Sequence, residues 1–455
     1  MRSSPWRSWV EPVALVGLFA YVFWFRVHGL AEDFVLMGDQ IQAWDIALRG
    51  AASLPLGGVA SSAGGATVGP AYYWILWSIA RLVGPAFDYL PHAGGLGISM
   101  LQSLADIVLA WALTRRTGSL TVAFAVVLLQ ASSVRDAVFS STIWNPPVAE
   151  ALLKLAIAGV LVDGGRSRAA AAFIALTAWV AVHCHTTGVL VAAPLLAWTA
   201  IVPILEGQRR AGVVRAAVIG AVVAVLQVPW AVNAMAVGAR GHTQVGENLL
   251  KVVESPSTAL RPLASASALS TNLEELLATP VAVPFFGVAL VAGGGLLIAL
   301  ARDRRLAICG PVPLLASVAA FALWQGANFA QYWYVVCLPS AAITLLAWVG
   351  FVPSSAKRVA GLLVLTAVVA IQPARFSLVR ATAPYPGYGA MVRGCRQIVA
   401  DDRPLATVVA PGPLMTAVNP VWLCSILNIR LESDATDVAV IDLAAGGTVS
   451  YQAGR

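Results

Sequence analysis

The sequence predicts an all-α polytopic membrane protein of about eleven transmembrane helices, with interfacial helices in its first outer loop and a small α/β extracytoplasmic C-terminal domain. Three observations carry this. Of 455 residues, 59% are hydrophobic and only 11% charged, against roughly 25% charged in a soluble domain. Mean hydropathy is +0.79, and a water-soluble fold cannot bury that much apolar surface. The apolar residues come in repeated long runs, and Lys and Arg fall in small clusters between them. That placement also excludes a nucleic-acid partner despite the net charge of +7, because no basic face interleaved with aromatics is present.

The runs fall at 9–30, 93–113, 119–134, 147–162, 169–184, 186–204, 212–235, 281–301, 306–324, 329–351 and 359–373. Gly29-Leu30-Ala31 offers a cleavage site, but Trp24, Phe25 and Arg26 fit a signal-peptide core poorly, so a retained anchor is expected. Arg2/Arg7, Arg115/Arg116, Arg166/Arg168, Arg209/Arg210, Arg302/Arg304/Arg305 and Lys357/Arg358 mark the cytoplasmic connections. They alternate with connections at 135–146, 184–186, 236–280 and 325–328, whose short members hold only Arg135.

The alternation requires residues 70–84 to lie in the interface rather than cross. The stretch is short, carries Tyr72, Tyr73, Trp74 and Trp77, and contains Arg81. It reads as a surface helix beginning with Pro70 at its first position and ending near Gly84. The N-terminus is then cytoplasmic, and 31–92, 236–280 and 374–455 are outside. Residues 1–373 form the membrane domain. The Ala-rich, Lys-poor composition fits a bacterial inner membrane.

Residues 374–455 form the second domain. Strand-like runs occur at Leu405–Ala410 and Asp437–Leu443, with helix-compatible sequence over Pro413–Ile429. Cys395 and Cys424 both lie here, and the sequence leaves open whether they pair. Cys184, Cys309 and Cys337 read as small buried hydrophobes. No cysteine spacing suggests a metal, and no cofactor is indicated, though a divalent ion is compatible.

The first candidate for chemistry is Gly38-Asp39-Gln40, directly after the first span. Ile41, Trp44 and Leu48 space as one face of an interfacial helix, with Asp39 as N-cap and Gly50 as the residue past its end. A capping Asp is also a positioned carboxylate, suited to accept a proton from an acceptor hydroxyl. Arg135-Asp136 and Asn145-Pro146-Pro147 flank the next outer loop. Asn145 reads as a helix cap and Arg135-Asp136 as a surface ion pair, or as a phosphate clamp in which Asp136 shares base duty.

His183 and His185 do not share a helix face, so a zinc site is not expected; polar packing between helices is the simpler reading, and His185 is suited to hydrogen-bond a phosphate or sugar. Gln331, Tyr332 and Trp333 serve equally as an aromatic belt or a sugar-stacking wall. Lys251, in the 236–280 loop beside the headgroups, is suited to a lipid phosphate.

The layout resembles the GT-C class of integral-membrane glycosyltransferases, including protein O-mannosyltransferases and the lipid A aminoarabinose transferase. The matching residues are Gly38-Asp39-Gln40, Gly69-Pro70-Ala71-Tyr72-Tyr73-Trp74, Arg135 with Trp144-Asn145-Pro146, His185-Thr186, and Tyr332 through Pro339. Many relatives have Asp-Glu where this chain has Asp39-Gln40. Others have a basic residue where this chain has Thr67-Val68-Gly69, and Gln331 stands where an Arg often precedes the tyrosine.

The resemblance implies inverting transfer of a sugar from a polyprenyl-phosphate donor to an outer-face acceptor, whether glycan, lipid or protein. Asp39 would be the base, with Asp136 next in line. Arg135, His185, Lys251 and Tyr332 would hold the donor phosphate, and Asn145, Gln331 and Trp333 the acceptor or sugar. A lipid-linked donor brings its leaving group to the bilayer surface, and the sequence has no nucleotide-binding loop. Two alternatives stand beside this: a transporter or flippase, for which Asp106 and Lys154 are the intramembrane candidates, and a polymerase or ligase working from one large basic outer loop.

Overall fold

The computed structural model describes residues 5–36, 38–59, 69–131, 134–164, 166–237, 285–324, 329–349, 387–411 and 419–453, with isolated positions at 356, 359 and 363. Its membrane part runs α1 (Pro5–Val27), α2 (Gly38–Leu48), α3 (Ala71–Leu82), α4 (His92–Thr117), α5 (Leu120–Ala131), α6 (Val134–Phe139) and α7 (Asn145–Val162). Then follow α8 (Arg168–Cys184), α9 (Val189–Leu205), α10 (Arg209–Val237), α11 (Phe285–Arg302), α12 (Arg304–Cys309), α13 (Pro311–Trp324) and α14 (Phe329–Val349).

Among the described residues, five helices are long and apolar enough to cross a membrane: Trp9–Val27, His92–Thr117, Asn145–Val162, Thr186–Leu205 and Arg209–Ala236. Shorter apolar helices at Leu120–Ala131, Arg168–Cys184, Leu290–Arg302 and Cys337–Trp348 accompany them. The chain is a multi-pass membrane protein. The run expected over 306–324 is two helices, because Gly310 leaves helical geometry at φ −114, ψ −90 and Pro311 starts afresh. The run expected at 359–373 lies outside the described residues.

Burial follows the bilayer rather than water. Val13, Val16, Val225, Met235 and Leu297 are each more than 60% exposed, facing where lipid would be, while Gln102, Asp106, Gln130, Glu150 and Lys154 are fully buried. Helix α7 packs on α4 and α8 at the centre, and α1 lies against α4. Cys184, Cys309 and Cys337 are buried as expected.

The helix expected over 70–84 is present as α3, with Pro70 one position earlier, at the cap. Helix α2 also differs in detail. It begins at Gly38, so Asp39 sits in the first turn rather than at the cap, and its carboxylate accepts the Gln40 N–H at 3.0 Å. Its buried face is Gln40, Ala43, Trp44 and Ala47, rotated from the expected stripe, because the small alanines let the helix approach while Ile41 and Leu48 sit at the margins. Gly50 is extended (φ −67, ψ 155), not left-handed. The end of α2 is closed instead by α3: Arg81 Nη2 donates to the Arg49 carbonyl at 3.1 Å.

Residues 387–453 build the small α/β unit. Helix α15 (Tyr388–Asp401) precedes a sheet of order β1 (Thr407–Val409), β2 (Asp437–Asp442), β3 (Thr448–Ala453). β1 pairs parallel with β2 (Val408 opposite Ala439), as the connection through α16 (Pro420–Ile426) requires, and β2 pairs antiparallel with β3 (Val440 opposite Ser450). Cys395 and Cys424 are bonded, tying α15 to α16.

The unit sits on the first loop. Gly389 N–H donates to the Glu32 carbonyl at 3.0 Å, Arg393 Nη1 lies 2.6 and 2.7 Å from the two Glu32 carboxylate oxygens, and Arg396 reaches Asp88 at 2.9 Å. Tyr388 is buried there, edge-on to Phe34 and 3.0 Å from His92 Nδ1. Burial pushes its hydroxyl well above the usual tyrosine range.

Candidate functional site

Helix α3 packs against α2 and α8, and Tyr72 stands on it. It is buried on the inner face of α3, next to Tyr73 with ring centroids 5.6 Å apart. Burial raises its hydroxyl above the usual range, and Tyr73, the Asp39 carboxylate and Cys184 add to that. Tyr73 is raised by burial and then by Asp39. An anion near a phenol disfavours phenolate, which is the sense in which the Asp39 carboxylate acts on both hydroxyls. Asp39 itself is exposed at the open end of α2.

The rest of the wall comes from α7 and the end of α8. Asn145 does not cap α7. It lies inside the first turn, with Trp144 at the cap, and its amide donates to the Cys184 carbonyl at 2.7 Å. The two prolines after it cannot donate backbone hydrogen bonds, which frees the first turn of α7 to meet the end of α8. His185 follows directly. Its Nδ1 lies 2.6 Å from Thr187 Oγ1, and burial pushes the imidazole down to about 4, so it is neutral at physiological pH. Gly69 enters α3 against His183: a Cβ there would collide with the imidazole ring.

Beneath this wall lies a polar network that the sequence only partly announces. Arg26 is fully buried at the end of α1. Its Nη1 is 2.7 Å from Asp106 and 3.1 Å from Ser103 Oγ, its Nη2 2.9 Å from Asp136, and its Nε 2.9 Å from Ser140 Oγ. Lys154 Nζ lies 2.8 Å from Asp106, 3.0 Å from Glu150 and 2.7 Å from Gln102 Oε1. Gln102 donates on to Glu150 at 3.0 Å and to the Pro147 carbonyl at 2.6 Å.

The Asp106–Lys154 pairing is therefore present. Asp136 is not at the surface as expected: it is 1% exposed and bound to Arg26. Two signals could have found the missing members. Arg26 is a charge inside an apolar run, and Glu150 stands four residues before Lys154.

Thus Asn145 and His185 meet at the end of α8 through the Cys184 carbonyl, Asp39 stands on α2 against α3, and Asp136 lies in the buried network. The side chains of Arg135, Gln331, Tyr332 and Trp333, and the whole of Lys251 with most of the 236–280 loop, lie outside the described residues. Among the described residues no group of three His, Cys, Asp or Glu is placed to hold a metal.

No protein-family profile matches the sequence, and no curated protein matches it. Solved structures do. The apo structure of ArnT from Cupriavidus metallidurans aligns with 94% of this chain and 86% of its own at 14% identity and a TM-score of 0.53. The same enzyme bound to undecaprenyl phosphate aligns over 92% and 75% at 15% identity and 0.49. The oligosaccharyltransferase AglB from Archaeoglobus fulgidus, with an inhibitory peptide and a dolichol-phosphate, aligns over 99% and 75% at 11% identity and 0.42. The chain has the fold of the GT-C integral-membrane glycosyltransferases.

Proposed function

We propose that the chain is an inverting glycosyltransferase that moves a sugar from a polyprenyl-phosphate donor to an acceptor at the outer face of the membrane. The observation that carries the reading is the Asp39 carboxylate, exposed in the first turn of α2, the helix that packs on α3 and its two buried tyrosines. It belongs to a helix that follows the first span in a chain with the ArnT fold.

The chemistry this arrangement suits is direct displacement. An acceptor hydroxyl attacks the anomeric carbon from the face opposite the phosphate, the C–O bond to phosphate breaks, and polyprenyl phosphate leaves with the bonding pair. Asp39 takes the hydroxyl proton as the new bond forms, a role that contributes about 10²–10⁴-fold. Because the leaving group is already an anion in a lipid carrier, the protein's remaining task is to hold its phosphate. We assign that to Arg135, Lys251 and Tyr332, with neutral His185 as a hydrogen-bonding partner rather than a counter-charge. Asn145, Gln331 and Trp333 are assigned to the sugar or acceptor. Asp136 is assigned to positioning through Arg26.

The test is transfer or hydrolysis of labelled sugar from a panel of polyprenyl-phosphate sugars by membranes carrying wild type or Asp39→Asn. Turnover by wild type alone supports the reading and identifies the sugar. Turnover by both moves the base away from Asp39. No turnover by either, with acceptor-rich envelope extract supplied, rejects the donor class. The buried Asp106–Lys154 pair is the observation that favours a transporter instead. In that case Asp106→Asn would abolish uptake or flipping of a lipid-linked substrate in vesicles.

A further inference from the structure

The end of the bundle opposite Asp39 carries a site of its own. Helix α8 starts at Arg168 and reaches Cys184, beside Tyr72, after 17 residues, a rise of about 25 Å. At its starting end lies a cavity of about 690 Å³ between the beginnings of α8 and α10. Arg166, Arg168, Arg209, Arg210 and Arg215 line it, with Gln208, and no carboxylate does.

Two features separate this cavity from the scattered positive charge that membrane topology alone requires. The first is Arg215. It is 6% exposed, one nitrogen donates to the Arg166 carbonyl at 2.7 Å, and the other, Nη1, is buried with no hydrogen-bond partner among the described residues. A buried guanidinium nitrogen without an acceptor is costly to maintain, and this one belongs to a residue that lines the cavity. The second is the contrast with the adjoining cavity of about 270 Å³, which shares Arg166. There two carboxylates, Glu206 and Asp303, stand among the arginines, and Arg116 forks onto Asp303 at 2.5 and 2.6 Å. The larger cavity has no such carboxylate. Both helices also begin there, so the positive ends of their dipoles add to the field.

We propose that this cavity binds the phosphate of an anionic phospholipid headgroup in the leaflet opposite the candidate transfer site. Arg215 Nη1 supplies the buried donor. Arg166, Arg168, Arg209 and Arg210 supply the surrounding charge, as basic pockets between membrane helices do. Ala211 and Val214, which also line it, lie alongside the path of an acyl chain. A lipid held there bridges α8 to α10 and fixes the end of α8 remote from His185.

The test uses the full-length protein in detergent micelles, with dioleoyl phosphatidylglycerol or dioleoyl phosphatidylcholine added and bound lipid read by native mass spectrometry. Phosphatidylglycerol should be retained about tenfold or more over phosphatidylcholine. Arg209→Gln/Arg210→Gln, at two exposed positions that leave the fold intact, should remove most of that preference without shifting the unfolding temperature. Arg215→Gln should remove it as well. Equal retention of the two lipids by wild type overturns the proposal, as does a preference untouched by the double variant. A third arm adds inorganic phosphate alone: displacement of phosphatidylglycerol at millimolar concentration would identify a soluble phosphate as the ligand and overturn the lipid assignment.

Discussion

Arg26 and Asp136, 110 positions apart in sequence, meet at 2.9 Å with both side chains buried. The pair fixes the end of α1, from which the Asp39 loop departs, to the short helix α6 that leads into α7 and Asn145. Both sides of the candidate site are therefore set by one guanidinium, which also holds Asp106 and the hydroxyls of Ser103 and Ser140. Removing one partner leaves a charge in a dry interior, which costs about 3–5 kcal/mol. Arg26→Gln should accordingly lower the unfolding temperature sharply in detergent. Arg26→Met combined with Asp136→Leu should recover most of that loss, because no charge is then left alone. A double variant as unstable as the single one would show that the charges are needed for more than each other.

Asp39→Asn makes the opposite separation. Asp39 is exposed and, among the described residues, its hydrogen bond is the local one to the Gln40 N–H, so the amide should leave stability within about 0.5 kcal/mol of wild type. Transfer should fall by about 10²–10⁴-fold, as expected when a positioned base is lost. Measuring both quantities on the same preparation distinguishes a lost proton acceptor from a misfolded loop.

The membrane architecture was legible because a bilayer writes itself into sequence: long apolar runs and the clustering of arginine need no tertiary information. Helix α3 was legible from Pro70 at its start and the short run that follows, which ends before the length a span needs. The details that failed are those decided by packing. Asn145 is a good cap by type, yet its amide is taken by the Cys184 carbonyl on another helix. Asp136 reads as a surface residue, yet it is buried against an arginine from the first span. Strand β3 was missed because Thr448–Ala453 is polar on its exposed face and gains its partner only when Gly446 and Gly447, at φ +73 and +95, turn the chain back on β2.

His185 gives the candidate site a pH signature. Burial holds its imidazole at about 4 in the folded protein, against 6.5 when exposed. The unfolded chain therefore binds the extra proton between those values, and stability is complete above about pH 6.5 and lost as pH falls towards 4. The full effect is at most about 3 kcal/mol, because each tenfold change in proton affinity is worth about 1.36 kcal/mol. His185→Gln should flatten the unfolding temperature over this window while leaving it unchanged at pH 8. An unaltered slope in the variant would assign the acid sensitivity elsewhere.

The Cys395–Cys424 bond links α15, which carries Tyr388, Arg393 and Arg396, to α16 behind it, across 29 residues of sequence. Closing a loop of that length removes chain entropy worth about 3–4 kcal/mol from the unfolded state. In a unit with one three-stranded sheet and two short helices, this is a large share of what holds it folded. Because α15 docks on Glu32, Asp88 and His92, loosening it should release the loop after α1 as well. Cys395→Ser should therefore speed proteolysis at two places, within 387–453 and near Glu32, while the membrane helices stay protected. Faster cutting only within 387–453 would show that the loop holds its shape without the docked unit, and the contacts of Arg393 and Arg396 would then be consequences of that shape.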